Sequence, residues 1–348
     1  SLRAQTASHT IALFSPGSQQ NHFWSQVVSV TRAACDDLNL ELQVYHGDDD
    51  HLKLIQQMKI VAARQNTPDV FLFPNVKKAG ILFLEIAAQA DIKVFTFNMG
   101  LDPKDAGKPR GRYKNWIGEM TPDDEKAGYE LGRILIEDAT QHDAIGSDGK
   151  IHVIGISGRS TDNSAIYRNR GLQNAIDKSP DAILQQIVPT DWTRQQTQQK
   201  LTGLLRRYPE TSVIWTASDN MALGVVESAR KLDYQVGHTL FTGGIDWTHD
   251  GLIAVSDGRM SASVGGHYLE GGWVVVLLHD YLHGKDFATE SVTMKSPMNA
   301  LTGDDVAQYL SKLGDGEWDK IDFTRFSKVI HPEIDRYQFS ISEILDQM

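Results

Sequence analysis

TIALFSPGSQQNHFW, from Thr10 to Trp24, runs from a short apolar segment through a polar turn into a helix. A run of four to eight apolar residues bounded by turn formers is the pattern of a buried strand, and the spacing beyond Phe23 changes to a helical period. The spacing therefore predicts a strand over Thr10–Phe14 and a helix over Phe23–Leu38. Outward from there the alternation continues, with strands Leu40–Tyr45, Asp69–Phe73 and Lys93–Phe97 and helices Leu52–Gln65 and Ala79–Ala90. The same order then returns in the second half. Strands Lys150–Ile156, Ile183–Val188, Ser212–Ala217 and Thr239–Ile245 alternate with helices Ala165–Lys178, Thr193–Arg207 and Met221–Leu232. Strands separated by helices of this length form β-α-β units with parallel sheets, and two sets predict two similar lobes.

Length and composition fit that division. A chain of 348 residues can bury two cores of ordinary size. A formal charge of −11 and a pI near 5.5 argue against a nucleic-acid surface, which needs concentrated Lys and Arg. The basic stretch Lys108–Lys114 is short and reads as a solvated loop. No apolar run approaches the roughly 18 residues of a membrane helix. The one cysteine, Cys35, falls on an apolar helical face and reads as core, so no intrachain disulfide framework is available. The polar start SLRAQTASHT has no initiator methionine, which fits a mature chain trimmed of a targeting segment.

In open parallel sheets, ligands bind beyond the carboxyl ends of the strands, so the residues just after each strand are the candidates. In the first half these are Gln19, Asn21, Phe23 and Trp24, then Asn98 and Met99. The second half offers Arg159, Asp162, Arg168 and Arg170, then Asp191 and Trp192, then Ser218, Asp219 and Asn220, and last Asp246 and Trp247. This is a set of amides, carboxylates, guanidiniums and rings, with no nucleophile and base paired for catalysis. Such groups match a sugar, whose hydroxyls donate and accept while its C–H faces lie on aromatic rings.

Several of these residues also have simpler readings, which stay open. Phe23 and Trp24 fit buried scaffold, Asn21 fits a helix cap, and Asp219 or Asn220 fits a cap for the next helix. Asp246 fits a turn, and either Arg168 or Arg170 fits a surface ion pair. No G-x-G-x-x-G or G-x-x-x-x-G-K-S/T loop is present, so dinucleotide and nucleotide phosphates are excluded as motifs. His279 and His283 stand one helical turn apart without a third ligand and read as a solvated face. Asp48–Asp50 lacks the pattern of a calcium loop. No metal and no cofactor are expected.

On these residues the chain resembles the periplasmic sugar-binding proteins of the ribose and galactose type, and their autoinducer-2 receptor branch, over about His9–Lys295. SDNMALG (Ser218–Gly224) is similar to the family's polar pair and M-A-L-G helix start, and RNRG (Arg168–Gly171) to its Arg-x-Arg-Gly. NHFW (Asn21–Trp24) resembles its first loop, TDW (Thr190–Trp192) its stacking aromatic, and GID (Gly244–Asp246) its ligand aspartate. By that resemblance Asn21, Phe23, Trp24, Arg168, Trp192, Ser218, Asp219 and Asp246 are ligand contacts, joined by Gln19, Asn98 and His267. Asn98-Met99 stands where ribose binders place Asp-Arg, which counts against ribose itself. Gly266 stands where the autoinducer-2 branch has an arginine, so that branch ranks second.

The resemblance implies a type I periplasmic binding protein, an α/β fold of two Rossmann-like lobes joined by a three-crossing hinge that closes on its ligand. The lobes then comprise residues 8–118 with 267–291, and 119–266 with 292–348. The implied function is capture of a monosaccharide or similar polyol in the periplasm, without catalysis, by a monomer that presents it to the membrane permease of an ABC transporter. The alternatives are a signal-sugar receptor acting with a sensor kinase, and the effector lobe of a repressor-type regulator. No nucleic-acid partner is implied. In the tail, a helix is expected over Asp304–Leu313 and another in SEILDQM. Phe323, Phe326, Tyr337 and Phe339 are expected to pack on the hinge or second lobe.

Overall fold

Two six-stranded sheets with the same strand order organise the chain. The computed structural model describes residues 9–348, and the start Ser1–Ser8, on which the trimmed-chain expectation rests, lies outside the described residues. The first half runs β1 (Thr10–Ser15), α1 (His22–Asp37), β2 (Glu41–His46), α2 (His51–Ala62), β3 (Val70–Phe73), α3 (Gly80–Gln89), β4 (Lys93–Phe97), the one-turn α4 (Pro103–Ala106) and β5 (Trp116–Pro122). The second runs α5 (Asp124–Gln141), β6 (Ile151–Ser157), α6 (Asn163–Asp177), β7 (Ala182–Pro189), α7 (Arg194–Arg207), β8 (Thr211–Thr216), α8 (Asp219–Lys231), β9 (Phe241–Ile245), α9 (His249–Ser256) and β10 (Ala262–Gly265). Then follow α10 (Glu270–Leu282), β11 (Thr293–Ser296), β12 (Asn299–Thr302), α11 (Gly303–Leu313) and α12 (Ile341–Leu345).

One sheet is ordered β11-β5-β4-β3-β1-β2 and the other β12-β10-β9-β8-β6-β7. All the pairings are parallel except β10 with β12. Strands covered on both faces by helices carry continuous apolar runs, which is why VFLF of β3 and TSVIWT of β8 are buried along their whole length. In each sheet the chain order reverses beside the first strand, between β1 and β3 and between β6 and β8. That reversal opens a crevice at the carboxyl ends where loops converge.

The chain divides into two compact units, one of residues up to 122 with 267–297 and 316–348, the other of residues 123–266 with 298–315. Three passages between units were expected, and the chain makes them after Pro122, Gly266 and Pro297, with a fourth after Asp315. The expected boundaries shift for physical reasons. Residues 119–122 complete β5, which lies beside β4 in the first sheet, and β11 pairs with β5 rather than entering the second lobe. The tail beyond residue 315 also belongs to the first unit instead of the second. There Phe323, Phe326 and Phe339 surround Trp273 of α10 at ring distances of 5.8, 5.0 and 5.0 Å. Trp318 Nε1 donates to Gln26 Oε1 of α1 at 2.9 Å, and Tyr337 Oη donates to Asp280 Oδ2 at 2.8 Å.

His279 is buried rather than solvated, with its Nδ1 3.0 Å from Asp280 Oδ1 and its ring 4.3 Å from that of His283. Cys35 is fully buried as expected, and burial pushes its thiol up to about 12.

Candidate functional site

In the second unit the carboxyl ends of the strands gather a buried guanidinium among carboxylates. Arg168 lies on α6, whose contact with α5 is unusually close. A Cβ on Gly128 would lie 2.0 Å from the Arg168 carbonyl, and one on Gly171 would lie 2.1 Å from the Glu125 carbonyl. Only glycine at both positions lets the backbones meet. That approach sets the Arg168 Nε on Asp124 Oδ1 at 2.7 Å, while Nη1 donates to the Ala217 carbonyl at 2.7 Å and faces Asp246 Oδ1 at 3.4 Å. Arg168 is 5% exposed, whereas Arg170 turns outward to Glu125. Of the two arginines left open by the sequence, Arg168 is therefore the one at the strand ends.

The electrostatics follow from this crowding. Burial works against the Arg168 charge, but Asp124 and Asp246 outweigh it and hold its proton more firmly than usual. Burial pushes the Asp246 carboxyl up to about 7, with Asp219 and Asp124 adding to the rise and Arg168 opposing it. Asp246 also has a backbone φ of 130°, Trp192 one of 71° and Asn98 one of 63°. Non-glycine residues seldom occupy this half of backbone space, and such strain gathers where side chains are aimed at a ligand.

Trp192, in the loop after β7, is half-buried beside this cluster, its ring centroid 5.8 Å from the Arg168 guanidinium carbon. Ser218 caps α8 by accepting from Met221 N at 3.4 Å. Asp219 is given a different task from the ligand contact expected of it. Its carboxylate is 0% exposed, with Oδ2 accepting from Thr248 N and Oγ1 at 2.8 and 3.1 Å and Oδ1 from Ser263 Oγ at 2.7 Å. It ties the start of α8 to the loop after β9 and to β10, and burial lifts its carboxyl to about 6.

In the first unit the strand ends present rings and backbone. Asn21 caps α1, its Oδ1 accepting from Trp24 N at 2.9 Å, so the cap reading holds for that oxygen. Phe23 and Trp24 are half-buried rather than core. Phe23 lies 4.8 Å from the ring of His267 and 5.3 Å from that of Trp24, which meets Phe97 edge-on at 6.1 Å. His267 is 3% exposed. Gln19 is exposed on the turn before α1. Asn98 follows β4, its N donating to the Met120 carbonyl at 3.0 Å.

Two residues near these groups escaped the sequence reading. Asp124 opens α5, a helix the periodicity did not reveal, and only the acidic first turn DDE hinted at it. Glu119 lies in the unpredicted β5 and ties β4 to the loop after it, accepting from Thr96 Oγ1 at 2.9 Å and Leu101 N at 3.1 Å. Asp162, one of the candidates read from the sequence, accepts from Trp192 Nε1 at 2.7 Å. Among the described residues one group could bring three metal-ligating atoms within 4.8 Å, namely Asp148, His152 and Glu210. It sits at the starts of β6 and β8, the opposite ends from the residues above, and His152 is held there by Asp148 at 3.0 Å and Gln185 at 2.6 Å.

Known proteins bear on this arrangement. A family model described as periplasmic binding protein domain matches residues 11–286. The ribose import binding protein RbsB of Haemophilus influenzae is 25% identical over 260 residues, 74% of this chain and 80% of that protein. Among solved structures, a periplasmic sugar-binding protein from Pseudomonas fluorescens superposes with a TM-score of 0.83 at 28% identity, over 97% of this chain and 99% of that one. A periplasmic solute binding protein of an ABC transporter from Actinobacillus succinogenes 130z, with bound D-allose, matches with a TM-score of 0.73 over 87% of this chain and 100% of that one. At 18% identity it speaks to the fold alone.

Proposed function

The chain belongs to the periplasmic binding protein family, and from that premise we propose that it captures a monosaccharide or similar polyol in the periplasm and delivers it to the permease of an ABC transporter. One observation carries the choice of ligand. The buried Arg168 and the half-buried Asp246 form a donor and acceptor pair beside the half-buried ring of Trp192. A sugar hydroxyl donates to the carboxylate and accepts from the guanidinium, while a pyranose or furanose C–H face lies on the indole. A ligand lacking those hydroxyls leaves buried polar groups unpaired, which gives selectivity.

The role is that of a carrier and not of an enzyme, acting as a monomer. Import relatives support this reading, and they do not favour the signal-receptor or repressor alternatives. Asn21, Phe23, Trp24, Asn98 and His267 are the contacts we assign to the first unit, and Arg168, Trp192, Ser218 and Asp246 those of the second.

A thermal-shift screen of pentoses and hexoses in pyranose and furanose forms, followed by calorimetry, tests the proposal. A ligand that binds only the folded chain raises its melting point, by about 2.7 kcal/mol of stability at a hundredfold excess over Kd. A shift with an amino acid or a nucleoside, and none with any sugar, overturns it.

A further inference from the structure

We propose that Asp162 is a positioning residue that fixes the Trp192 indole for ligand stacking, an inference that rests on the sugar-binding reading above. The first observation is a helix cap left unmade. Asp162 stands at the N-cap of α6 with extended backbone (φ −86°, ψ 125°), yet its side chain makes no hydrogen bond to the helix. Asp50, Asp102 and Asp123, in the same position on α2, α4 and α5, each accept from their own first turn. Aspartate is among the best capping residues, so a carboxylate turned away from free backbone donors has been turned toward something else.

Its nearest partner is the indole, with the exposed Arg159 Nη1 farther off at 3.6 Å from the same oxygen. Asp162 Oδ2 accepts from Trp192 Nε1 at 2.7 Å, a short hydrogen bond to a charged acceptor. The rest of the residue is held as firmly. Its backbone sits at φ 71°, its N donates to Thr190 Oγ1 at 3.1 Å, and its carbonyl accepts from Asn220 Nδ2 at 3.2 Å. The ring fills the space over Gly158, where a Cβ would lie 1.9 Å from Trp192 Cε2. Glycine after β6, a polar edge contact and a fixed backbone leave the indole one orientation, with part of its surface still open. A stacking surface ordered beforehand does not have to be ordered when the ligand arrives, which strengthens binding without any direct contact from Asp162.

The test compares D162A, W192F and the double variant by calorimetry with D-allose and D-ribose, beside a 15N spectrum of the free protein. W192F keeps an apolar ring but removes the Nε1 donor. Each single variant is expected to weaken binding by about five- to tenfold, and the double variant by no more than either one alone, because both remove the same hydrogen bond. D162N, which retains a side-chain oxygen, is expected to recover most of the affinity. The melting point of D162A should stay close to that of the parent, since no cap is lost.

Wild-type affinity in D162A, or losses that multiply in the double variant, overturns the inference. Should no sugar of the thermal-shift screen bind the parent chain, the function reading fails. The Trp192 indole N–H resonance, assigned by its absence in W192F, then decides this proposal alone. It should be protected from exchange in the parent and exposed in D162A, and an unchanged signal overturns the inference. If D162A does not fold, D162S replaces it, since its hydroxyl can cap α6 but is too short to reach the indole.

Discussion

The strand ends of the two units are built on the same sheet order and furnished in opposite ways. In the first unit they carry Phe23, Trp24 and the buried ring of His267, with Asn21 engaged in capping α1. In the second they carry a guanidinium held between Asp124 and Asp246, with Asp219 close enough to raise the Asp246 carboxyl further. A duplicated fold therefore fixes where a site lies without fixing its chemistry. On the proposed function, the first unit would offer surface for C–H faces at little desolvation cost. The second offers hydrogen bonds whose strength comes from burial, and whose loss is expensive for the same reason.

The largest expected effect tests the charged side. R168M keeps most of the side chain's volume but leaves Asp124 and Asp246 facing each other without a cation. Removing one partner of a buried ion pair costs about 3–5 kcal/mol, so a melt should show a large drop in stability, and calorimetry a loss of sugar affinity of about a hundredfold or more. Near-parental binding in R168M would break the contrast at its centre.

Protonation is the next lever. Asp246 is held up to about 7 against an ordinary 3.8, so the folded chain keeps a proton there that the unfolded chain has already released. Folding stability from this group is consequently greatest below about pH 4 and falls as pH rises toward 7, and Asp219, held up to about 6, acts in the same sense. Ligand binding runs the other way. A hydroxyl donating to the ionised carboxylate favours the charged form, so affinity is full above about pH 7 and should fall about tenfold between pH 8 and pH 6. D246N should flatten that profile, bind weakly at every pH, and melt higher than the parent at pH 8. A flat profile in the parent protein would remove Asp246 from the contacts.

Much of this was legible beforehand because buried parallel strands write themselves as unbroken apolar runs. VFLF and KVFTF needed no partner to be read. WIGEMTP of β5 escaped because Gly118, Glu119 and Pro122 interrupt its apolar run, and α5 escaped because Gly128 and Gly132 weaken a helical reading. Those glycines exist for packing, with Gly128 admitting α6, and helix contacts leave no periodic trace. Losing α5 hid Asp124, and with it the reason Arg168 is buried. The internal hydrogen bonds of Asp219 were hidden for a related reason. A polar residue after a strand reads the same whether it faces a ligand or, as here, Thr248 and Ser263 far along the chain. The tail went to the wrong lobe because the partner of its phenylalanines, Trp273, is an aromatic about 50 residues or more upstream in an apolar helix with many candidate faces.

On the aromatic side the expected effect is smaller. F23L preserves apolar bulk while removing a ring that also meets His267 and Trp24, and aromatic pairing beyond area burial is worth about 1 kcal/mol, so sugar affinity should fall about fivefold with little change in melting point. A loss as large as that of R168M would mean the first unit recognises the ligand as specifically as the second.

The smallest effect divides two jobs that meet in one side chain. Asn21 Oδ1 is committed to Trp24 N, while the amide group on the same carbon is a donor suited to a hydroxyl. N21A removes both and should cost about 1 kcal/mol of stability, read by denaturant melts, because a cap is lost. N21D keeps a capping oxygen, places a carboxylate at a helix N-terminus where it is favoured, and removes only the donor. Its stability should match the parent while sugar affinity falls about threefold, the worth of one modest neutral hydrogen bond. If N21D binds as tightly as the parent, Asn21 is a cap alone. In that case hydrogen bonding from the first unit passes to Asn98, and the division between an apolar unit and a charged one becomes sharper still.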